Sequence, residues 1–501
     1  MILSFLSLRG VNSKFDTTNI KSLVQEVVDK WDYSGYFTLL SQGRRLVNEY
    51  YGFENKDKSS KTTKDTRYLV DSQHSFFARF SILMEVSRKS IKLNEKIAKY
   101  IPELRHSDKI TIKNLLKGES GLFDYYHSHL MVQFETDDEL KALPEYDRVR
   151  KEHSIRYENR NFHKVLRIIN DKELEFEPGK DDEHSSTESI ILNELLTRVT
   201  GLTPFEYLKE NIFDSLGMDS VQYGSTIETL SYIEHKDTEH VSTPVDFDVE
   251  GIFSINNDDL EKLMTALLNK QFLSEAVWKT ALKRNHHGNG ILFGSSRGFY
   301  STGFGFLGYV VSLYLDFNKK VAYSCVSNEQ PLIELVDNNW NYYQKEFSSV
   351  VAAIMTFPEN TKMVKLDKKN FWSALDISIK PEQNKFVLNA KSSVAMGLFY
   401  KEQKVYVQME GDIVVGLLVL EIDKKKENYY INVVIIDKKF QNKGFGKLMV
   451  KWAVEKLKEE GATSLKIGVN RENIAAKKVY MNAGFEPKSV YGGGMELEMK
   501  L

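Results

Sequence analysis

A short glycine-containing loop is the part of this sequence whose residues are best suited to chemistry. It has the form Q-x-x-G-x-G, with Gln441, Gly444 and Gly446 at the fixed positions. Glycine has no Cβ, so the backbone of such a loop can come close to a ligand. The free N–H groups and the dipole of a following helical turn attract an anion. The loop therefore predicts a phosphate or pyrophosphate site.

The segments around the loop predict the elements that would position it. Residues 430–436 form an apolar run rich in β-branched residues, which is typical of a buried strand. Residues 447–460 repeat apolar residues at helical spacing, and residues 464–469 predict a second strand. The loop thus ends at the N-terminus of a helix that joins two strands. Tight strand-to-helix turns that bind nothing also contain such glycines, so other residues must decide between the two interpretations.

A second pattern follows one strand later. Asn473, Tyr480 and the pair 484–485 stand in the order N-x-x-A-x-x-x-Y-x-x-x-G-F. Together with the loop, this pattern resembles the GNAT acetyltransferase family over roughly residues 363–501. The resemblance implies an α+β domain with a mixed sheet, in which the loop binds the pyrophosphate of acetyl-CoA as co-substrate.

The acceptor is suggested by a narrower likeness. Residues 371–383 and 437–447 are similar to the spermidine or diamine acetyltransferase branch of the GNAT family. This likeness implies a small-molecule amine, similar to a polyamine, as the acceptor. It does not identify the amine.

The resemblance also implies roles for particular residues. Tyr480 matches the general acid that protonates the departing CoA thiolate; a phenol pKa of about 10 suits a thiolate whose conjugate acid has a pKa of about 8.5 to 9. Its alternative role is that of a core aromatic residue. Asn473 either contacts the cofactor or caps a helix. The implied cofactor-binding residues are Val434, Ile436, Gln441, Asn442, Lys443, Gly444, Phe445, Gly446, Lys447 and Asn473.

No general base for the amine can be identified from the sequence. Glu410, Glu421 and Asp437 are candidates by charge alone, and each also fits a solvated surface carboxylate. The sequence contains no recognisable metal-binding motif, so no metal is predicted.

Composition limits the classes of partner and compartment. The 501 residues carry a net charge of -2, which argues against nucleic acid or an anionic membrane as an electrostatic partner. The single cysteine, Cys325, excludes an internal disulfide, fits a reducing compartment and lies in an apolar run as a small core residue. The apolar start of the chain is too short for a signal peptide or a membrane span. These observations predict a cytoplasmic protein with two or three domains.

The upstream region resembles a second family. Residues 66–72, 176–179 and 212–218, among other segments, are similar to the serine β-lactamase-like family of class C β-lactamases, penicillin-binding proteins and related esterases. The resemblance implies an α+β domain over residues 10–356, with an antiparallel sheet flanked by helices and a helical subdomain. A linker at 357–362 then separates it from the GNAT domain at 363–501.

The catalytic positions of that family are degenerate here. The S-x-x-K motif falls on 72–75, where Ser72 is present but Ser75 replaces the lysine. The Y-x-N motif falls on 184–186 and starts with His184, and the K-x-G motif falls on 301–303. Loss of groups that act together costs several orders of magnitude in rate. The domain is therefore interpreted as a pseudo-enzyme.

Three hypotheses for the whole chain result. The first is a two-domain N-acetyltransferase whose β-lactamase-like domain does not catalyse. The second is a sensor, in which the β-lactamase-like cleft binds a ligand without turnover. The third is a serine esterase in which His184 acts as the base for a Ser72 nucleophile. A homodimer is a further expectation, because residues 490–501 could add a strand to a neighbouring copy.

Overall fold

The computed structural model describes residues 17–501 apart from 57, 184, 225–226, 235–238, 243–250, 285–289, 297–298, 305–307 and 331–341. The chain divides into two compact units, Thr17–Ser348 and Ser349–Leu501. Both combine helices with sheets, so the predicted α+β class is confirmed.

The first unit begins with a helix and contains most of the strands. Its strands are β1 (Gly35–Ser41), β2 (Arg44–Tyr51), β3 (Phe53–Asn55), β4 (Ser60–Lys61), β5 (Arg67–Asp71), β6 (Gln222–Tyr223), β7 (Ser231–Glu234), β8 (Glu239–Ser242), β9 (Ile252–Asn256), β10 (Gly294–Ser296), β11 (Phe299–Gly303), β12 (Val310–Asp316), β13 (Val321–Ser327) and β14 (Glu329–Gln330). Its helices are α1 (Thr17–Trp31), α2 (Ser75–Arg88), α3 (Ile112–Lys117), α4 (Met131–Thr136), α5 (Asp138–Lys141), α6 (Glu145–Glu158), α7 (Phe162–Asn170), α8 (Ser186–Thr200), α9 (Pro204–Leu208), α10 (Asp214–Leu216), α11 (Asn257–Leu268), α12 (Glu275–Ala281) and α13 (Tyr342–Ile354), the last of which contains the boundary between the units.

An antiparallel sheet is the main layer of the first unit. Its order is β10-β11-β12-β13-β1-β2. Strands β1 and β13 are paired along their whole length and are buried at every position. A strand buried on both faces reads as a continuous apolar run, which explains the pattern around Cys325. Burial also raises the pKa of the Cys325 thiol, so the thiol stays protonated at neutral pH.

Helix α2 forms the centre of the core beside this sheet. Phe76, Phe77 and Phe80 on one side of the helix are all buried. The ring of Phe77 lies 4.8 Å from that of Phe304, a typical separation for packed aromatic rings. This packing fixes the N-terminal end of α2, where the predicted nucleophile motif lies.

The second unit is built on one mixed sheet. Its strands are β15 (Thr361–Lys365), β16 (Gln403–Glu410), β17 (Ile413–Asp423), β18 (Asn428–Ile436), β19 (Ser464–Asn470), β20 (Glu486–Tyr491) and β21 (Gly494–Lys500), in the order β15-β16-β17-β18-β19-β21-β20. Its helices are α14 (Phe371–Leu375), α15 (Ala390–Phe399), α16 (Phe445–Glu459) and α17 (Ile474–Asn482). The predicted linker at 357–362 overlaps β15, and the domain limits stay a prediction.

Successive side chains along each strand point to opposite faces of this sheet, and both faces are apolar. Leu418 and Leu420 pack in a core with Met449 of α16. Leu417 and Val419, which point to the opposite face, pack in a second core beneath α14 and α15. Helices therefore cover the central strands on both sides.

The pairing of β18 with β19 is short. The two strands run parallel and are paired at Tyr430↔Lys466 and Ile431↔Ile467. Beyond Ile431, β18 continues for five residues, to Ile436; none of them pairs with β19, and four of them, residues 433–436, pair with β17. The two strands therefore diverge and leave main-chain groups of β18 without a partner strand on that side.

In the described part of the chain, no helix is long and apolar enough to cross a bilayer. The same residues contain no cluster of His, Cys, Asp or Glu side chains that could hold a metal ion.

Candidate functional site

A cavity of about 400 Å³ opens at the end of β18, where this strand has diverged from β19. Its wall combines Val434, Ile435 and Ile436 with the loop before α16, the start of α16 and residues of α17. This volume lies within the range of small-molecule sites.

The loop ends at a helix whose first turn has free N–H groups. Gly444 precedes α16 with φ of 94°, a conformation that strains any residue with a Cβ, and no side chain caps the helix. Asn442 also has a positive φ, of 62°. The backbone of the loop is therefore folded back so that the first turn of α16 can bind an anion.

The structure brings most of the predicted cofactor residues to this cavity. Nine of the ten line it, namely Val434, Ile436, Gln441, Asn442, Gly444, Phe445, Gly446, Lys447 and Asn473. Whether they contact a cofactor stays a prediction.

The side chain of Lys443 is directed elsewhere. Its side-chain nitrogen donates hydrogen bonds to main-chain carbonyl groups at the end of α13, with distances of 3.0 Å to Ile354 and 3.2 Å to Thr356, and also contacts the carbonyl of Ala353. Carbonyl groups at the C-terminal end of a helix lack partners within the helix and can accept such bonds. Burial lowers the pKa of Lys443 to about 7. The side chain therefore ties the loop to residues 353–356, which belong to the same unit.

Two of the lining residues also have local structural roles. Gln441 donates to the carbonyl of Ile436 at 2.9 Å and exchanges hydrogen bonds with Gln383, so it holds the loop closed. Asn473 accepts a hydrogen bond from the N–H of Ala476 at 3.1 Å and caps α17. The capping role considered for Asn473 is thus present, and its position in the cavity wall is compatible with both roles.

Tyr480 lies in the cavity wall and in the core at the same time. Its side chain is 6% exposed and its ring packs edge-on against Phe485, with the centroids 6.4 Å apart. Burial raises the pKa of Tyr480 above its ordinary value of 10. The phenol is therefore protonated at neutral pH, which is the state that a proton donor requires.

The three carboxylates considered as bases all have structural partners. Glu410 accepts from the N–H groups of residues 359 and 360 and from the hydroxyl of Thr361. Asp437 accepts from the N–H groups of residues 378 and 439. Glu421 accepts from the side chains of Asn428 and Asn432. None of the three lines the cavity.

Among the lining residues that were not predicted from the sequence, two have polar side chains that matter for a ligand, Lys478 and Gln383. Lys478 joins Lys447 in the wall, and the described lining contains no carboxylate, so the cavity suits an anionic ligand. Gln383 reaches the wall from the segment before α15. A detectable signal for Lys478 was its place inside the N-x-x-A-x-x-x-Y pattern, two residues before Tyr480.

In the first unit, the predicted nucleophile is enclosed. Ser72 follows β5, its N–H donates to the carbonyl of Gly251 at 2.9 Å, and its side chain is 1% exposed. Its hydroxyl has no hydrogen-bond partner among the described residues. A Cβ on Gly251 would lie 2.8 Å from this hydroxyl, so the backbone at Gly251 closes directly over it.

The third motif lies at a neighbouring cleft of about 720 Å³. Ser75, the first residue of α2, and residues 301–303 of β11 line this cleft, whereas Ser72 does not. His184 lies outside the described residues. The third motif therefore lies on the wall of the cleft, but Ser72, the predicted nucleophile, is not exposed there.

The residue before Ser72 carries a mostly buried charge. Asp71 accepts a hydrogen bond from Arg160 at 2.6 Å, and both side chains are nearly excluded from solvent. The other oxygen of Asp71 accepts from the N–H of Gln73 at 2.9 Å. The turn that holds Ser72 is therefore fixed by an ion pair.

Models of two protein families match the chain. The model described as Beta-lactamase matches residues 20–343, which is more than half of the chain. The model of the Acetyltransferase (GNAT) family matches residues 372–485.

Similar proteins match the first unit. Protein flp of Staphylococcus aureus (strain COL) is 23% identical over 236 residues, 45% of this chain and 43% of that protein. A teichoic acid D-alanine hydrolase of Staphylococcus aureus (strain MRSA252) is 27% identical over 96 residues, 19% of this chain and 24% of that protein. The chain thus spans less than half the length of these curated relatives.

Two solved structures share the fold. A penicillin-binding protein from Bacillus halodurans matches 66% of this chain and 98% of its own, with a TM-score of 0.51 and 18% identity. An octameric penicillin-binding protein homologue from Pyrococcus abyssi matches 82% of this chain and 89% of its own, with a TM-score of 0.52 and 14% identity. At these identities the likeness shows the fold alone.

The contacts of Lys443 predict a pH-dependent stability. Between pH 7 and about 10.5 the folded protein holds a neutral amine, while the unfolded chain binds a proton there. Unfolding then takes up a proton, so this group makes the free energy of unfolding rise with pH in that window. Urea unfolding at pH 7, 8 and 9 should show wild type gaining stability relative to Lys443→Met as pH increases.

The matched control is Lys451→Met, because Lys451 is exposed on α16. Its stability difference from wild type should not change with pH over the same range. A Lys443→Met difference that is equally flat would mean that Lys443 stays charged in the folded protein.

Proposed function

The chain belongs to the beta-lactamase family and carries a C-terminal acetyltransferase domain of the GNAT family, and from this premise we propose that the second unit transfers an acetyl group from acetyl-CoA to a small cationic amine. The first unit, in the same proposal, binds a ligand without serine chemistry. The observation that carries the proposal is the cavity at the end of β18, where the loop, α16 and Tyr480 meet.

The residues of the cavity fit acetyl-CoA, which supplies the acetyl group as an activated thioester. The free N–H groups after Gly444 suit a pyrophosphate, and Lys447 and Lys478 add positive charge. Gly444 and Gly446 leave open the space that a side chain would occupy. The main-chain groups of β18 beyond Ile431 that β19 leaves unpaired could hydrogen-bond the cofactor or the thioester oxygen.

Tyr480 is the proposed proton donor. It shares the cavity with the end of β18, and its raised pKa means that the phenol carries a proton at neutral pH. No carboxylate lines the described part of the cavity, so the proposal includes no carboxylate base there. A neutral amine can attack the thioester carbon without a base. Its nitrogen then loses its extra proton to solvent as the C–S bond breaks, and Tyr480 protonates the departing CoA sulfur.

A polar cluster beside the diverging strands supports a cationic acceptor. Glu421 lies opposite Tyr430 in the register of β17 and β18. The Tyr430 hydroxyl lies 2.9 Å from where a Cβ of Gly468 would be, next to the last paired residue of β19. Burial, together with Tyr491 and Glu496, raises the pKa of Tyr430 to about 12. Carboxylates and tyrosine rings attract ammonium groups, so this cluster suits a diamine or polyamine.

Replacing Tyr480 by Phe should lower kcat for acetyl transfer by about a hundredfold or more, because the leaving thiolate loses its proton donor. Affinity for acetyl-CoA should stay within about twofold, since the ring is retained. The assay follows free CoA thiol with spermidine, diamines, aminoglycosides and short lysine peptides. Tyr406→Phe, which removes a hydroxyl elsewhere in the domain, is the control. An unchanged kcat in Tyr480→Phe would remove Tyr480 from the mechanism.

Replacing Glu421 by Gln should raise KM for a cationic amine about three- to fivefold, because a partly exposed ion pair contributes about 1 kcal/mol. The KM for acetyl-CoA should not change. Glu455→Gln makes the same charge change on the exposed face of α16 and should change neither the KM for the amine nor the KM for acetyl-CoA. Equal effects in the two variants would indicate a general charge effect and contradict the proposed acceptor site.

For the first unit, the enclosed hydroxyl of Ser72 favours a pseudo-enzyme. A nucleophile must reach its substrate, but Ser72 is buried beneath Gly251 and does not line the cleft that contains the third motif. Ser75 at the lysine position offers no cation to activate it. The cleft is nevertheless large enough for a ligand, so the proposed role of the unit is binding.

A fluorophosphonate should therefore not label the folded protein above the level of Ser72→Ala, while an active serine hydrolase in the same experiment is labelled fully. The measurement is incorporation of the probe by mass spectrometry. Labelling of wild type that disappears in Ser72→Ala would establish the esterase alternative instead.

A further inference from the structure

The cleft of the first unit is lined by an unusual number of cations. They come from helix α2, helix α3, helix α12 and the segment after α12, and they are Arg79, Lys113, Lys117, Lys279, Lys283 and Arg284. Neither acetyl transfer nor the degenerate serine motif uses any of them.

Acidic residues cancel only part of this charge. Glu119, Asp182 and Glu183 also line the cleft, so within its described lining six cations minus three anions leave an excess of three positive charges. Lys117 forms an ion pair with Glu119. The remaining excess is concentrated in a concave surface, where a positive potential is stronger than on a convex one.

One further carboxylate stands behind Arg79 and does not cancel it. Glu188 is 1% exposed, accepts a hydrogen bond from the hydroxyl of Ser120 at 2.5 Å, and lies 3.9 Å from Arg79. Burial raises the pKa of Glu188 to about 8, although Arg79 opposes the shift. At 3.9 Å the two groups form no hydrogen bond, so this carboxyl does not use the donors of Arg79.

Several of the cations have unused donors. Among the described residues, the ammonium groups of Lys113, Lys279 and Lys283 form no ion pair or hydrogen bond. Arg79 donates one hydrogen bond to the carbonyl of Ile291 at 3.3 Å, and its Nε has no partner within the described structure. Donors directed at an open cleft are satisfied by water or by a ligand.

We propose that this cleft binds a small multivalent oxyanion, a molecule that carries two or more phosphate or carboxylate groups. The cleft has an excess of three positive charges, and these charges come from different helices. A ligand with several negative charges can contact more of them than a monovalent ion can. The hydroxyl groups of Ser301 and Thr302 on the wall add neutral donors for its oxygens. Binding is reversible and involves no covalent step.

The proposal is independent of acetyl transfer, because it concerns a cleft of the first unit alone. It also does not depend on the reactivity of Ser72, which is absent from the lining.

Calorimetric titration of the full chain with tripolyphosphate and, separately, with citrate tests the proposal. We expect saturable binding of at least one probe, weakened by added salt because the contacts are charged. The variant Lys279→Ala/Lys283→Ala should bind about tenfold more weakly, if each exposed lysine contributes about 0.7 kcal/mol. Both lysines are exposed, so the variant should fold, and a circular dichroism spectrum and a thermal unfolding midpoint equal to those of wild type would confirm this.

The control Lys92→Ala/Lys319→Ala removes the same charge from exposed positions outside the cleft. It should bind the probes as wild type does. Tighter binding of tripolyphosphate would identify a phosphate ligand, and tighter binding of citrate a carboxylate ligand; both outcomes support the site. Equal weakening in the two double variants, or no saturable binding of either probe, would overturn the proposal.

Discussion

The second unit depends on one constraint, which is that β18 and β19 are paired over two residues and then separate. Parallel strands normally continue their hydrogen bonds along their length, and a gap between them must be filled or left open to a ligand. Here the gap is bordered by α16 on one side and α17 on the other, and both helices are anchored in the same apolar core. The cavity is therefore a consequence of strand geometry that the core holds in place.

A glycine lies beside the candidate reactive position of each unit, and it has opposite effects on the access of a ligand. In the second, a glycine at 444 opens the backbone to a ligand at the start of a helix. In the first, a glycine at 251 lets the backbone close over a serine hydroxyl. The same lack of a Cβ thus creates access in one unit and removes it in the other. The difference supports acetyl transfer in the second unit and binding alone in the first.

Local pattern was sufficient to predict the elements around the loop. The strand predicted at 430–436 corresponds to β18, and the helix predicted at 447–460 corresponds to α16, because burial and helical spacing leave a strong periodic signal. The direction of the Lys443 side chain could not be predicted in the same way. Its partners are carbonyl groups about ninety residues earlier, and no local pattern encodes that contact. The enclosure of Ser72 by Gly251 is likewise a contact between distant segments.

The burial of Cys325 in β13 has a practical consequence. Cys325 is the sole cysteine of the chain, its side chain is completely shielded from solvent, and its thiol stays protonated. Disulfide exchange reagents should therefore not react with it while the fold is intact. Colour released by such a reagent during turnover then comes from CoA and not from the protein. When the first unit unfolds locally or globally, this single thiol becomes accessible. The rate at which it is modified then reports how often that unit unfolds.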